Sequence, residues 1–262
     1  MSLVHILILA VIQGIAEFLP ISSSGHLVIV GSLLMDDNQS GKLDVADVNI
    51  VLHAGTLLSI VVVYWRQIVN LLGEDRRTIP LLIAGTFPVV VVGVAAKALF
   101  EPVFSNALLA GVMLLVTGTV LLVTSRIEHG DGRYSEMGLL KALWIGIAQA
   151  FAILPGISRS GTTICTGLFT GLSRQDAATF SFLLAIPAIG GASLLEMIHL
   201  MTDAELTTPI PTLLAGAVLS FLVGLVALAW LLRWLQKGRL QYFAYWCLLA
   251  GLGVVVWQLQ SG

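Results

Sequence analysis

The chain has 262 residues, of which 57% are hydrophobic and 11% charged, where an ordinary soluble domain carries roughly 25% charged residues. Mean hydropathy is +0.97. A single folded core does not need that much apolar surface, so lipid must take the rest, which excludes a soluble enzyme or a disordered chain. The formal net charge of -2 leaves no basic face for nucleic acid, and no such partner is expected.

In chain order, the first apolar stretch runs from Leu3 to Leu19 and stops at Pro20. No basic region or clear cleavage site accompanies it, so it reads as part of the mature protein rather than a signal peptide. Ile21-Ser22-Ser23-Ser24-Gly25-His26 follows, then a short apolar piece at 27–35. Spanning segments of about 20 apolar residues are predicted at 48–65, 79–99 and 106–125. A second interrupted stretch runs from Leu139 to Leu154 and stops at Pro155. It meets Gly156-Ile157-Ser158-Arg159-Ser160-Gly161, with a short piece at 162–172. Three more spans are predicted at 176–200, 208–232 and 240–259, and Pro88 and Pro187 are expected to kink two of the six. Cys165 and Cys247 both lie in apolar segments, giving neither a disulfide framework nor a thiolate zinc site.

Each interrupted stretch reads as two half-helices joined by a polar hairpin. Broken backbone at membrane depth survives only where protein buries it or it lines a cavity. A shift of 136 residues pairs Gln13 with Gln149, Ala16 with Ala152, Ile21 with Ile157, Ser22 with Ser158, Ser24 with Ser160 and Gly25 with Gly161. The chain therefore reads as two repeats in one membrane domain, 1–130 and 131–262. Each holds a re-entrant helix pair plus three spans.

Charge placement orients them. Of 13 Lys and Arg, nine lie in three clusters: Arg66, Arg76 and Arg77; Arg126, Arg133 and Lys141; Arg233, Lys237 and Arg239. The positive-inside rule makes these loops cytoplasmic. The acidic 36–47 loop and the region of Glu196, Asp203 and Glu205 then face outward, with Lys97 beside Glu101. Three spans per repeat is odd, so the repeats are inverted and the two hairpin tips are expected to meet near the midplane. The predicted fold class is an all-α integral membrane protein with inverted repeats, six transmembrane spans and two re-entrant helix pairs.

Ionisable residues inside such segments are costly and usually functional. They are Glu17, His26, His53 and Arg159. Glu17 follows Gln13 by four residues, on the same helix face. His26 ends a run of three hydroxyls and a glycine, whereas His53 has no such company. Arg159 carries the strongest signal, because a guanidinium binds phosphate in a fork. Neighbouring Ser and Thr hydroxyls, with free N–H groups at a half-helix start, make an anion cradle. Arg159 is expected to line a cavity rather than a packed core. The set suits a phosphorylated headgroup whose lipid tail stays in the bilayer.

Gln13-Gly14-Ile15-Ala16-Glu17-Phe18-Leu19-Pro20-Ile21-Ser22-Ser23-Ser24-Gly25-His26 resembles the Glu/Gln-x-x-x-Glu motif and Ser/Gly/His segment of the undecaprenyl-diphosphate phosphatases of bacitracin-resistance type. Pro155-Gly156-Ile157-Ser158-Arg159-Ser160-Gly161-Thr162-Thr163 resembles their second signature. Phe180-Ser181-Phe182 and Leu52-His53-Ala54-Gly55-Thr56 also fit.

The resemblance implies a plasma-membrane enzyme that removes one phosphate from a polyprenyl diphosphate, recycling the carrier of cell-wall synthesis and conferring bacitracin resistance. Its active site would open to the outer side. It implies catalytic roles for Glu17, Ser23, His26 and Arg159. Phosphate binding would fall to Ser22, Ser24, Gly25, Ser158, Ser160, Gly161 and Thr163. A divalent cation, Mg²⁺ or Ca²⁺, would sit at Glu17 and Gln13. The first acidic position of the motif is Gln13 here, so the metal would rest mainly on Glu17 and the diphosphate. Whether Ser23, with His26 as base, or a water activated by His26 and the metal is the nucleophile stays open. So does a homodimer. The alternative function is a polyprenyl-phosphate transporter or flippase.

Overall fold

A computed structural model describes residues 2–34, 42–99, 104–127, 130–203 and 208–261. Of the charged regions expected to face outward, Asp36, Asp37, Glu101 and Glu205 lie outside the described residues, while Asp44 and Asp47 fall in a helix rather than a loop, and Lys97, Glu196 and Asp203 are also helical, the side chains of all five lying outside the described set. The described chain folds into α1 (Leu3–Ala16), α2 (Ser23–Leu34), α3 (Lys42–Val63), α4 (Trp65–Asn70), α5 (Thr78–Leu99), α6 (Ala107–Ser125), α7 (Leu139–Phe151), α8 (Arg159–Phe169), α9 (Arg174–Asp203), α10 (Ile210–Gln236) and α11 (Leu240–Ser261).

Five helices are long and apolar enough to cross a bilayer, within α5, α6, α9, α10 and α11. α3, the other expected span, is 22 residues long, but its described apolar part is the shorter Val48–Val63. Large side chains on the outer faces stay uncovered, among them Ile83, Phe87, Val226 and Leu249. That is the surface lipid must cover. α5 and α9 run through Pro88 and Pro187 without a break. The short helix α4, at the turn towards Arg76 and Arg77, was not predicted.

Small residues set the helix crossings, as close backbone approach in lipid requires. α5 crosses α7 where a side chain on Gly146 would run into the carbonyl of Gly85. α6 crosses α11 at Gly111 and Gly251. α3 meets α10 at Gly55 and Ala217, and hydrogen bonds from Ser220 Oγ to the Leu52 carbonyl (2.9 Å) and from Ser59 Oγ to the Phe221 carbonyl (2.8 Å) reinforce that contact.

The two interruptions lie where the sequence places them, but they are tighter than expected. The breaks cover residues 17–22 and 152–158. Ser23, Ser24, Gly25 and His26 form the first turn of α2, and Arg159, Ser160 and Gly161 the first turn of α8. Capping explains the shift. Ser22 Oγ accepts from the Gly25 N–H at 3.2 Å, and Ser158 Oγ accepts from the Gly161 N–H at 3.1 Å. Each satisfies an orphan donor and so starts its helix earlier than hydropathy suggests. Each cap also meets the hydroxyl two residues on, Ser22 to Ser24 at 3.3 Å and Ser158 to Ser160 at 3.2 Å.

Candidate active site where the two breaks meet

The two broken pairs touch at their tips. Ser22 Oγ donates to the Ile157 carbonyl at 3.3 Å. A Cβ added to Gly25 would sit 2.8 Å from Gly156 Cα. Gly156 itself holds φ +96°, a left-handed conformation open to glycine. Ser22 adopts φ 70° despite its side chain. Protein groups satisfy the freed backbone: Thr117 Oγ1 donates to the Gly156 carbonyl (2.8 Å) and accepts from the Ser158 N–H (3.1 Å).

Glu17 sits at this junction, in the turn that ends α1, and is 6% exposed. Its Oε1 takes Arg159 Nη2 at 2.8 Å. Its Oε2 accepts from Ser23 Oγ at 2.7 Å and from Gln13 Nε2 at 3.0 Å. His53 Nε2, from α3, stands 3.6 Å from the same oxygen. Arg159 is 15% exposed. It also donates through Nη1 to the Ser181 carbonyl at 3.3 Å, and its guanidinium lies 5.9 Å from the Phe182 ring centroid. One buried carboxylate is thus ringed by a guanidinium, a hydroxyl, an amide and an imidazole drawn from α1, α2, α3 and α8. Burying it is tolerable only because it is ion-paired and hydrogen-bonded.

The expected site residues do not all converge. Gln13, Glu17, Ser23 and Arg159 converge within hydrogen-bonding distance. Ser22, Ser158, Ser160 and Thr163 are buried in contacts of the protein itself: the two caps, Ser160 Oγ to the Leu19 carbonyl (3.5 Å), and Thr163 Oγ1 against Ser181 Oγ (2.6 Å). Gly25 admits Gly156, and Gly161 faces Pro20. Ser24 remains half-buried at the start of α2.

His26 lies beside Ser23 in sequence, but Ser23 donates to Glu17 instead. Nδ1 of His26 donates to the Ser22 carbonyl at 2.8 Å, and Nε2 accepts from Trp246 Nε1 at 3.0 Å, which fixes its neutral tautomer. The sequence reading gave His53 no role, quoted Ser181 only within the Phe180-Ser181-Phe182 run, and did not name Thr117 or Trp246, for which the sequence carries no signal.

Among the described residues, no group of three or more His, Cys, Asp or Glu side chains gathers to form a metal cluster. Gln13 Oε1 is nevertheless buried with no hydrogen-bond partner, beside the Glu17 carboxylate. It is Gln13 Nε2 that meets the carboxylate, so the free amide oxygen and the carboxylate are donors of the kind a cation such as Mg²⁺ takes beside phosphate and water, once the amide or the ion pair gives way.

A helical membrane protein built around a buried carboxylate–guanidinium centre, held where two broken helix pairs meet, is the class this fold and site define. The family model of the Bacitracin resistance protein BacA matches residues 6–253, and the chain belongs to that family. It is similar to the undecaprenyl-diphosphatase of Rhodopirellula baltica, 53% identical over 260 residues covering 99% of each chain. It is also similar to those of Halothermothrix orenii, 38% identical over 98% of each chain, and Korarchaeum cryptofilum, 36% identical over 97% of this chain and 99% of the relative.

Proposed function

We propose that this protein is a membrane phosphatase that hydrolyses undecaprenyl diphosphate to undecaprenyl phosphate and inorganic phosphate, with Glu17, Ser23 and Arg159 as its reacting centre. The hydrogen bond from Ser23 to Glu17, on a carboxylate that also pairs with Arg159, carries this reading. The relatives' names, at up to 53% identity over nearly the whole chain, support the substrate.

Ser23 Oγ attacks the terminal phosphorus while Glu17 takes its proton. The bridging oxygen leaves with the prenyl phosphate. Water then cleaves the phosphoserine, and Glu17 returns the proton to Ser23. Arg159 turns from Glu17 towards the diphosphate and steadies its charge, since such transfers depend mainly on positioning and electrostatics. Glu17 and Gln13 Oε1 would hold the divalent cation, which when bound neutralises diphosphate charge.

His26, held by Ser22 and Trp246, is left to the substrate side rather than to Ser23. Ser24 and the first N–H groups of α2 and α8 meet phosphate oxygens. The other hydroxyls, Ser22, Ser158, Ser160 and Thr163, keep the two tips in register.

The matching cap geometry at Ser22–Gly25 and Ser158–Gly161 supports two inverted repeats, 1–130 and 131–262. So does the exchanged packing of α1 on α10 and α7 on α5. The basic clusters support six spans, both termini outside, and a centre open to the outer side of the plasma membrane. Mass spectrometry of protein quenched during turnover tests the covalent step. Phosphate on a Ser23 peptide is expected, and phosphate on no peptide would favour direct attack by water.

A further inference from the structure

We propose that His53 is a positioning residue for this reaction, holding the Glu17 carboxylate in line with Ser23 and Arg159 from a third helix. The inference rests on the assignment of Glu17 and Ser23 as reacting groups. Three of the four groups around Glu17 cannot fix it in space by themselves. Gln13 sits on the same helix one turn back. Ser23 is the group that reacts. Arg159 must turn to the substrate. His53 alone comes from an element with no other part in the chemistry.

That element is anchored on both sides of the residue. The Leu52 carbonyl, adjacent to His53, accepts from Ser220 of α10 at 2.9 Å. Gly55, two residues on, lets α3 pack against Ala217. The ring is fixed as well, because Nδ1 donates to the Asn49 carbonyl at 2.8 Å, one turn earlier. Nε2 is thereby aimed at Glu17 Oε2 at 3.6 Å, longer than a hydrogen bond and within ion-pair distance for a ring that carries both protons. The side chain is 24% exposed against 5% for Glu17. Supports of this kind, on rigid elements, hold a reacting group within the narrow tolerance that chemistry needs.

Among the described side chains, the ionisable groups on the elements around His53 are few. Glu17 reaches it from the α1 turn, and Arg159 of α8 lies on the far oxygen of that carboxylate. The one ionisable residue of α10, Arg233, stands in its last turn. Arg174 and Asp176 of α9 lie in its first turn. Asp44 and Asp47 of α3, and Glu196, His199 and Asp203 of α9, fall outside the described side chains.

The test measures kcat and KM for phosphate release from a prenyl diphosphate by purified His53→Leu, His53→Asn and His53→Gln proteins of normal elution volume. Leu removes the polar contact at similar size, Asn is too short to reach Glu17, and Gln restores an N–H donor. A misplacement on the order of 1 Å costs up to about 100-fold. Leu and Asn should therefore lose about 10- to 100-fold in kcat with KM within about threefold, and Gln should recover most of the loss. Asn serves alone if Leu does not fold. In a Glu17→Gln background, His53→Asn should cost nothing further.

Wild-type kcat in Asn, a loss confined to KM, failure of Gln to rescue, or a full extra loss in the double variant would each overturn the proposal. Full activity in Glu17→Gln and Ser23→Ala would instead overturn the assignment of the centre itself.

Discussion

Replacing Arg159 separates geometry from charge. The guanidinium meets Glu17 Oε1 through Nη2 at 2.8 Å and the Ser181 carbonyl through Nη1 at 3.3 Å. A lysine ammonium is a single donor centre on a flexible stem, and reaching one partner gives up the other. The same deficit applies to two phosphate oxygens in the transition state. Losing one charge contact there costs about 3–4 kcal/mol, or roughly 10²- to 10³-fold in rate. Arg159→Lys should fall by that factor, and Arg159→Ala by at least as much.

The two variants differ in stability. The sequence suggested that Arg159 lines a cavity rather than a packed core. The structure pairs it with a carboxylate that is 6% exposed, and stranding a buried charge costs about 3–5 kcal/mol. The 15% exposure of Arg159, and the Ser23 and Gln13 donors that remain, put Arg159→Ala near the lower end, about 3 kcal/mol. Arg159→Lys should melt close to wild type. Phosphate release normalised to folded protein and calorimetry in detergent check both. Near-normal turnover in Arg159→Lys would refute the geometric argument, and an unchanged Tm in Arg159→Ala would refute the buried ion pair.

Three further outcomes are expected. Glu17→Gln should lower turnover by about 10²-fold or more and weaken its dependence on added Mg²⁺, while Gln13→Ala should cost less, because an amide brings no charge; steady-state assays across a metal titration compare them. Gly25→Ala would place a methyl 2.8 Å from Gly156 Cα, forcing the two tips apart at a cost of about 1–3 kcal/mol, and chemical denaturation should show a lower midpoint with activity lost alongside it. Burial, and then the Asp75 carboxylate, push the Tyr134 phenol in the α6–α7 loop up to about 12. The fold is thus favoured by protonated Tyr134 below the ordinary value near 10, and that contribution disappears as pH rises through about 12. Tyr134→Phe should flatten this part of the alkaline unfolding curve, read by circular dichroism.

The helices were legible because each apolar stretch is long and bounded by charge, and the breaks because Pro20 and Pro155 each end one. The starts of α2 and α8 were misplaced by a few residues because Ser22 and Ser158 look like loop residues by hydropathy yet act as caps. Glu17 and Arg159 stood out as rare charges in apolar sequence. Their mutual pairing did not, because 142 positions separate them and only the contact of the two tips brings them together. His53 shows the same limit. Its neighbours in sequence are apolar, and its partner in space belongs to another helix. The hydroxyls were ambiguous in another way, since a serine at a helix start serves a phosphate or a backbone N–H equally well, and in the structure Ser22 and Ser158 are buried and accept from a backbone N–H.

The most direct test of the central claim, that the junction of the two breaks is the catalytic centre, is the initial rate of phosphate release from undecaprenyl diphosphate by purified Ser23→Ala protein. Ser23 is half-buried, and its loss leaves Glu17 paired with Arg159 and Gln13, so the variant should stay folded and elute like wild type, melting lower by no more than one hydrogen bond to a charged group explains, about 1.5–3 kcal/mol. Its rate should fall by about 10³-fold or more, since removing a nucleophile abolishes the step it carries. A rate near that of wild type from the same folded protein would contradict the account.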